Sequence, residues 1–519
     1  MTVSVNKIFV INSLKNGRVG KGAIEAFLGM VLNKNNLYKY IKLQNILNCD
    51  AGSLFAKLYK EIYVLEDGFE TTADAGFYDL FNNAKLSRNQ FLTTGGLLKD
   101  LILSEGVENH EGKVFNFGKS FVEKMKSELN RMTKNDNCLI SVDVDFEDVG
   151  SQIFLTSLYN CINEEDMVIF VGDSAEQNDK YFTKIFTRHV LALKNNGIKV
   201  DSIFYSTTNN ARINIGLLSK KFDVKKEMFL RFESDKNMFK AIHSCFTPEI
   251  KTFLSEKMNV KDFTEIHTEF ENKYAAVLKK YENTLKLGLV SRYEKDDSAY
   301  NSLETALQIA CNKAGFNAEI IYLHSKDASE ILKSDQIKDI QGMIIPGGFG
   351  LSYYEGKLEY IRYARENKIP LLGICLGIQL IFIEFSRNVL GISEATSTEF
   401  SPNTNHPVVS KMPNVVCKNT QKGIFLGPYK INLQEEANDL FSGKNIQKFR
   451  YSFGLNRKYV TQAIEKGLKI LGIAENDGYA IVKVENHPFM VGVQFHPELS
   501  SSFDKIDPIF TAFINEVKK

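Results

Sequence analysis

The stretch that most limits what this chain can fold into is Pro370-Leu-Leu-Gly-Ile-Cys375-Leu-Gly-Ile-Gln379. Its apolar run reads as a buried strand, and Gly373 and Gly377 on either side of the cysteine let that strand turn sharply into a helix where larger side chains would collide. An elbow of this kind presents one side chain at the end of a buried sheet, with a helix N-terminus that favours a thiolate over a thiol. A lone cysteine is more often a buried structural residue. The glycine flanks point instead to a nucleophile.

Similar strand, turn and helix units recur along the chain. Lys7-Ile-Phe-Val-Ile-Asn12 reads as a strand, followed by a glycine-bearing turn and by Ala23 to Leu32 with apolar residues at helical spacing. Further strands are expected at Cys138–Val142, with a helix at Ile153–Leu158, then at Met167–Val171 and Val200–Tyr205. Between about Glu249 and Leu285 the chain turns charged and helix-favouring, which fits an interdomain helix and linker or a solvated surface helix within one domain. A second α/β series starts at Leu287-Gly-Leu-Val-Ser291 and continues through Met343-Ile-Ile-Pro346, Pro370–Cys375 and Met490–Phe495. Alternation of this kind predicts parallel sheets flanked by helices. With 519 residues, against roughly 150 for a typical domain, more than one domain is expected.

Composition narrows the class. Lys and Arg number 64 against 63 Asp and Glu, so net charge gives no reason to expect a nucleic-acid or acidic-membrane partner. The seven cysteines show no CxxC pairing or Cys/His cluster, which argues against a disulfide framework or structural zinc. Met1–Leu14 lacks the pattern of a signal peptide, and no apolar run approaches the ~20 residues of a membrane span. A cytoplasmic protein is expected.

Two other C-terminal segments complete a chemistry for the elbow. Pro346-Gly-Gly-Phe-Gly350 follows an apolar strand and can expose backbone N–H groups as an oxyanion hole, although Pro-Gly-Gly is also an everyday turn. Val493-Gln-Phe-His496-Pro-Glu498 supplies an imidazole to take the thiol proton and a carboxylate to orient the ring. In isolation, His-Pro-Glu is more often a surface turn. Taken in order, from about residue 287 to 515, these segments resemble a class I (triad) glutamine amidotransferase domain. The resemblance implies Cys375 as nucleophile, His496 as base, Glu498 as orienting acid, and Gly348 with Leu376 as oxyanion donors. It also implies Gln379 and Glu399, in Ser397-Thr-Glu-Phe400, as glutamine contacts. For the glutamine α-carboxylate the family uses an Arg-Tyr pair. Arg450-Tyr451 matches it if two residues are inserted after it, whereas an ungapped match falls on Ser452, so Arg450 is a candidate.

In the N-terminal half, Asn16-Gly-Arg-Val-Gly20-Lys21-Gly22 lies between a strand and a helix, where phosphate would meet backbone amides and one lysine. A Walker A match fails, because Gly22 replaces the consensus Ser/Thr and the spacing from Gly17 is short. By itself the loop fits nucleotide binding and an ordinary turn equally. However, Glu66-Asp-Gly-Phe-Glu70-Thr-Thr-Ala-Asp74 through Phe81 resembles the acidic segment of CTP synthases, as Lys42–Asp50 resembles their Lys-Leu-Asp segment. The Gly-Lys-Gly loop then matches their ATP loop, and Ile345–Gly350 and Glu485-Asn-His-Pro488 are similar to their glutaminase half.

The resemblance therefore implies two doubly wound α/β domains: a P-loop-like amidoligase over 1–270, a linker over 271–286 and a flavodoxin-like glutaminase over 287–519. It implies ATP as a substrate held at Gly20, Lys21 and Gly22, nucleotide phosphates at Lys42, Mg²⁺ at Asp74, and ammonia passed from glutamine to UTP or a related acceptor. A homo-oligomer, dimer or tetramer, is also implied.

Several family positions are changed. The second magnesium carboxylate falls on Ser141, in Ile140-Ser-Val-Asp143-Val-Asp145, and Asp143 lies about 6 to 7 Å further along the same strand face. The uracil-nucleotide segment corresponds to Phe182-Thr-Lys184-Ile-Phe-Thr187, a lid arginine to Phe425 and a loop histidine to Tyr59. These changes predict weak or absent amination of UTP. Two alternatives to a UTP-aminating enzyme follow: a non-synthesising paralogue with a regulatory or assembly role, and an amidoligase for another acceptor.

Overall fold

The computed structural model describes residues 7–14, 20–34, 38–54, 61–104, 116–173, 179–206, 213–235, 237–292, 298–350, 353–413 and 423–519. Asn16–Val19 of the glycine loop and Tyr59 lie outside the described residues, as do the side chains of Phe182 and Thr183. The chain divides into two compact units, one of residues 1–63 and 70–278, the other of 64–69 and 279–519.

The first unit carries a seven-stranded sheet. Its spatial order is Phe91–Thr93, Tyr38–Gln44, Asn137–Val144, Lys7–Ser13, Met167–Asp173, Ser202–Ser206 and Phe229–Arg231. Every neighbouring pair runs parallel. Helices cover the sheet, so a central strand is buried on both faces and reads as a nearly unbroken apolar run: Cys138, Leu139, Ile140 and Val142 are all inaccessible to solvent. The strand anticipated from Val200 starts at Ser202. The charged stretch after Glu249 forms two helices, Pro248–Met258 and Phe263–Leu278. The Thr247 hydroxyl accepts from the Ile250 N–H and Pro248 opens the first of them, while left-handed Asn259 closes it. Of the segment read as a linker, 271–278 completes the second helix and 284–286 begins a strand.

The second unit holds a nine-stranded sheet in the order Asn317–His324, Thr284–Ser291, Gly342–Ile345, Leu371–Ile374, Met490–Val493, Tyr479–Val484, Leu468–Ala474, Phe425–Leu433, Ile446–Tyr451. The first five are parallel. The remaining four extend the sheet antiparallel, joined in part by short turns that need no crossover helix. Both units are α/β, as the alternation of elements predicts.

Candidate active sites

Three strands that are neighbours in the second sheet, Gly342–Ile345, Leu371–Ile374 and Met490–Val493, end at the same edge. The segments following them carry Pro346–Gly350, Cys375 and His496. This explains how residues 150 apart in sequence meet, since loops after parallel strands cluster at the carboxyl end of the sheet.

Cys375 is the elbow residue, with φ 54° and ψ −101°, a backbone conformation costly for any side-chain-bearing residue. Its N–H is tied to the Val493 carbonyl at 2.7 Å. The flanking glycines are required sterically. A Cβ on Gly373 would lie 2.8 Å from the Gly377 backbone, and one on Gly377 would lie 2.5 Å from the Ile345 carbonyl oxygen. The thiol donates to the Arg450 carbonyl at 3.5 Å, and the Gln494 amide reaches Sγ at 3.8 Å.

His496 Nδ1 pairs with Glu498 Oε1 at 2.7 Å. Its Nε2 is buried with no hydrogen-bond partner among the described residues, leaving that nitrogen for a proton exchanged with the thiol. Gly347 lies between the two side chains: a Cβ there would be 2.6 Å from His496 Cε1 and 3.4 Å from Cys375 Cβ. Burial disfavours the imidazolium, but the charges of Glu498 and Cys375 outweigh it and push the His496 pKa up to about 10.

The predicted glutamine contacts surround this pair. Gln379 donates to the Phe453 carbonyl at 2.6 Å and to Gln494 Oε1 at 3.4 Å, while its own Oε1 is buried without a partner among the described residues. Glu399 accepts from the Gly350 N–H at 2.9 Å, which anchors it to the Pro346–Gly350 loop, and burial raises its carboxyl pKa despite that bond. Gly348 and Leu376 are adjacent, since a Cβ on the glycine would be 3.7 Å from the leucine side chain. The Arg450 guanidinium stacks on the Phe349 ring at 4.8 Å. Tyr451 is buried in the core with its hydroxyl on Asn476, so only the arginine of that dipeptide faces the loop.

The other cluster lies in the first unit, at two adjacent strands of the parallel sheet, Tyr38–Gln44 and Asn137–Val144. In register, Lys42 sits beside Ser141, and Gln44 beside Asp143. Lys42, Gln44, Ser141 and Asp143 thus share one face by the period of two. The Gly20–Asn33 helix contributes Lys21 and Glu25, and the Ala73–Asn82 helix contributes Asp74. Gly22 permits the two helices to approach, because a Cβ there would be 2.9 Å from the Phe77 ring and 3.2 Å from the Asp74 backbone. Packing therefore accounts for a glycine where a Walker loop has Ser or Thr.

Lys21 Nζ meets Asp143, Asp74 Oδ2 at 2.8 Å, Ser141 Oγ at 2.9 Å and Glu25 Oε1 at 3.4 Å. Lys42 Nζ meets Asp74 Oδ2 at 2.6 Å and Asp143 Oδ2 at 3.1 Å. Apart from Asp74, whose side chain is partly exposed, all of these groups are buried. Desolvation opposes the charge on Lys21, yet Asp143, Asp74 and Glu25 raise its pKa well above the ordinary value. Burial likewise acts to raise Asp74, and the two lysines overcome it and hold that carboxyl well below its usual range. For Glu25 burial wins, and its carboxyl is raised. The offset between positions 141 and 143 does not keep the Asp143 carboxylate out of the cluster, because both lysines are long enough to reach it.

Sequence reading missed Glu25, Gln44 and Gln494. The first follows Lys21 at the i, i+4 spacing and the second shares the strand face of Lys42, so both positions were open to inference. Gln494 follows the Met490–Val493 strand and carries no local signal of its own.

Comparison with known proteins decides the family. The model described as CTP synthase N-terminus matches residues 7–260, and that described as Glutamine amidotransferase class-I matches residues 298–516. The chain belongs to the CTP synthase family. It is 29% identical to the CTP synthase of Clostridium beijerinckii over 99% of this chain and 98% of that protein. It is also 29% identical to that of Archaeoglobus fulgidus, with the same coverage, and to that of Saccharolobus solfataricus over 99% of each. Among solved structures, the glutaminase domain of Trypanosoma brucei CTPS with bound acivicin has 26% identity and a TM-score of 0.41, covering 45% of this chain and 94% of that one. The family makes this chain a glutamine-hydrolysing ligase with a glutamine amidotransferase half. Among the described residues no helix is long and apolar enough to cross a membrane.

Proposed function

We propose that Cys375 hydrolyses glutamine and that the ammonia released is used by the N-terminal half on an acceptor activated by ATP. The observation that carries the glutaminase assignment is the elbow at Cys375 beside a His496 Nε2 that has no hydrogen-bond partner among the described residues. Sγ passes its proton to His496 Nε2 and attacks the side-chain carboxamide of glutamine, and the negative oxygen that forms is met by the N–H groups of Gly348 and Leu376. His496, oriented by Glu498, gives its proton to the departing ammonia, and water then cleaves the thioester to glutamate. Gln379, Glu399 and Arg450 hold the substrate, with Arg450 taking the α-carboxylate from its place above Phe349.

In the amidoligase half, Lys21, with Gly20 and Gly22 at the helix start, binds the phosphates of ATP, and Lys42 binds nucleotide phosphate. Asp74 and Asp143 are hard oxygen donors already close to the same two ammonium groups, and this donor set suits Mg²⁺. Bound there, Mg²⁺ supplies positive charge to phosphate oxygens. Phosphate from ATP goes to a carbonyl oxygen of the acceptor, and ammonia displaces it. UTP is the family acceptor; the changed 182–187 segment favours slow use of UTP. Assembly as a dimer or tetramer belongs to the same proposal.

The deciding measurement follows conversion of UTP to CTP by ultraviolet absorbance, with ammonia as nitrogen donor and glutaminase assayed in parallel. Measurable glutaminase with slow CTP formation is expected. Rapid CTP formation would make UTP the ordinary acceptor. ATP failing to bind at all would favour the non-synthesising reading, for which the loss of the family carboxylate at Ser141 is the supporting observation.

A further inference from the structure

Outside both sites, three side chains of the first unit bring their ligating atoms together. His267 and Glu271 lie four residues apart on one face of the Phe263–Leu278 helix, and His243 closes the Met238–His243 helix. His243 Nε2 is 3.4 Å from His267 Nε2 and 3.1 Å from Glu271 Oε1, and His267 Nε2 is 3.5 Å from that same oxygen. Among the described residues this is the one set of three His, Cys or carboxylate side chains whose ligand atoms all fall within 4.8 Å of each other.

We propose that His243, His267 and Glu271 bind one divalent transition-metal ion of the zinc class. Bonds of about 2.0–2.2 Å in a tetrahedral arrangement separate neighbouring ligand atoms by about 3.3–3.6 Å. Two of the three distances match that edge length and the third, His243 to Glu271 at 3.1 Å, is slightly shorter, so an ion above the triangle reaches all three atoms with little rearrangement. Without an ion, two ring nitrogens and a carboxylate oxygen compete for the same protons at close range.

The geometry is held by the surroundings. The His267 ring stacks on Phe246, with centroids 4.4 Å apart and planes 13° from parallel, and His243 packs against Phe270 at 6.2 Å. Phe270 is itself part of a buried aromatic group with Tyr274 and Phe239. Locked rings of this kind lower the entropic cost of closing a metal site. The three side chains are 39%, 30% and 50% exposed, leaving entry for the ion and room for water at its fourth position. Two imidazoles and one carboxylate select Zn²⁺, Co²⁺ or Ni²⁺ over Mg²⁺, so the site differs in kind from the carboxylate pair Asp74 and Asp143. Its ligands come from two helices, so the ion would act as a clip between them.

The test uses the untagged full chain, stripped with chelator, carrying Cys375→Ala so that its thiol cannot compete. Calorimetric titration with Zn²⁺ should give one ion per chain, and a Co²⁺ spectrum should lack thiolate-to-metal bands. Adding His267→Ala or His243→Ala should weaken binding at least a hundredfold, and Glu271→Gln at least tenfold. Zn²⁺ should raise the thermal midpoint of the parent but not of the histidine variants. These side chains are exposed enough for the variants to fold, and circular dichroism checks that. Unchanged affinity in the histidine variants, thiolate bands from another cysteine, or no saturable binding by the parent would each overturn the proposal.

Discussion

The two candidate active sites solve opposite electrostatic problems. Around Cys375 a strained elbow, one buried His–carboxylate pair and several neutral amides are arranged with His496 Nε2 unengaged. Around Lys21 five ionisable side chains neutralise one another, and each lysine that would meet a phosphate is already held by two aspartates. The first is preorganised for the glutamine hydrolysis proposed for it. The second must exchange partners: if phosphate takes the lysines, the aspartates lose their cations, and burying them unpaired is costly. A divalent cation arriving with the phosphate resolves this, so metal and nucleotide are expected to bind together rather than in sequence.

The sharpest way to break the comparison is Cys375→Ala. Removing the nucleophile should lower glutamine hydrolysis by roughly 10⁴-fold or more, whereas ATP binding and any reaction supported by free ammonia should be unchanged. A glutaminase that survives, measured by glutamate release or by labelling with an electrophilic glutamine analogue, would remove the elbow from the mechanism.

Next in size is Glu498→Gln, which should cost about 10³–10⁴-fold in glutaminase turnover by freeing the imidazole to turn and by removing the charge that supports the imidazolium. It also separates the two sites by pH. The His496 pKa is raised to about 10, so the stability contributed by its ion pairing is fully present below its unfolded value, about 6.5, and is lost as pH rises towards 10. Asp74 is depressed, so its contribution is present above about 3.9 and is lost as pH falls through its folded value. Thermal midpoints measured across pH should show an alkaline decline that Glu498→Gln flattens, and an acid decline that this substitution leaves in place. An alkaline limb unaffected by Glu498→Gln would contradict the pairing.

The same contrast explains what the sequence made legible. Cys375, His496 and Glu498 stand in short segments whose glycines, proline and spacing carry the geometry locally. The strand alternation gave both sheets, because period and apolar content are local as well. The antiparallel extension of the second sheet went unseen, since Phe425–Leu433 and Ile446–Tyr451 alternate only in part and their pairing is set by partners distant in sequence. The charged stretch after Glu249 was legible as helical but not as two helices, the second of which turns only Phe263, Ile266, Phe270, Tyr274 and Val277 inward. At the amidoligase cluster, position 141 suggested a missing carboxylate, yet Asp143 joins the same cluster through two lysines. Strand spacing fixes where backbones lie, and long side chains absorb a two-residue offset.

A third, smaller effect should come from Lys21→Met, which removes one of two buried cations from the cluster. Leaving the carboxylates under-compensated should destabilise the first unit by about 3–5 kcal/mol. Urea unfolding of the full chain, followed by circular dichroism, should then show an early transition that the parent lacks. ATP affinity should fall as well. If stability and affinity both stay at parent values, the lysine is not the cluster's hub.

The smallest effect is expected from Glu25→Gln, and it tests the charge count. Two lysines face three acids, so full ionisation would leave a buried excess of negative charge. Burial raises the Glu25 carboxyl, and its Oε1, 3.4 Å from Lys21 Nζ, has no hydrogen-bond partner among the described residues, while Tyr40 donates to Oε2 at 3.0 Å. A glutamine keeps the size and can still accept from Tyr40, so the change at neutral pH should stay within about 1 kcal/mol. Asp143→Asn, equally conservative in shape, removes a carboxylate from both lysines and should cost several times more. Equal losses for the two variants would mean that Glu25 carries full charge beside Lys21, and the neutral balance attributed to this cluster would have to be abandoned.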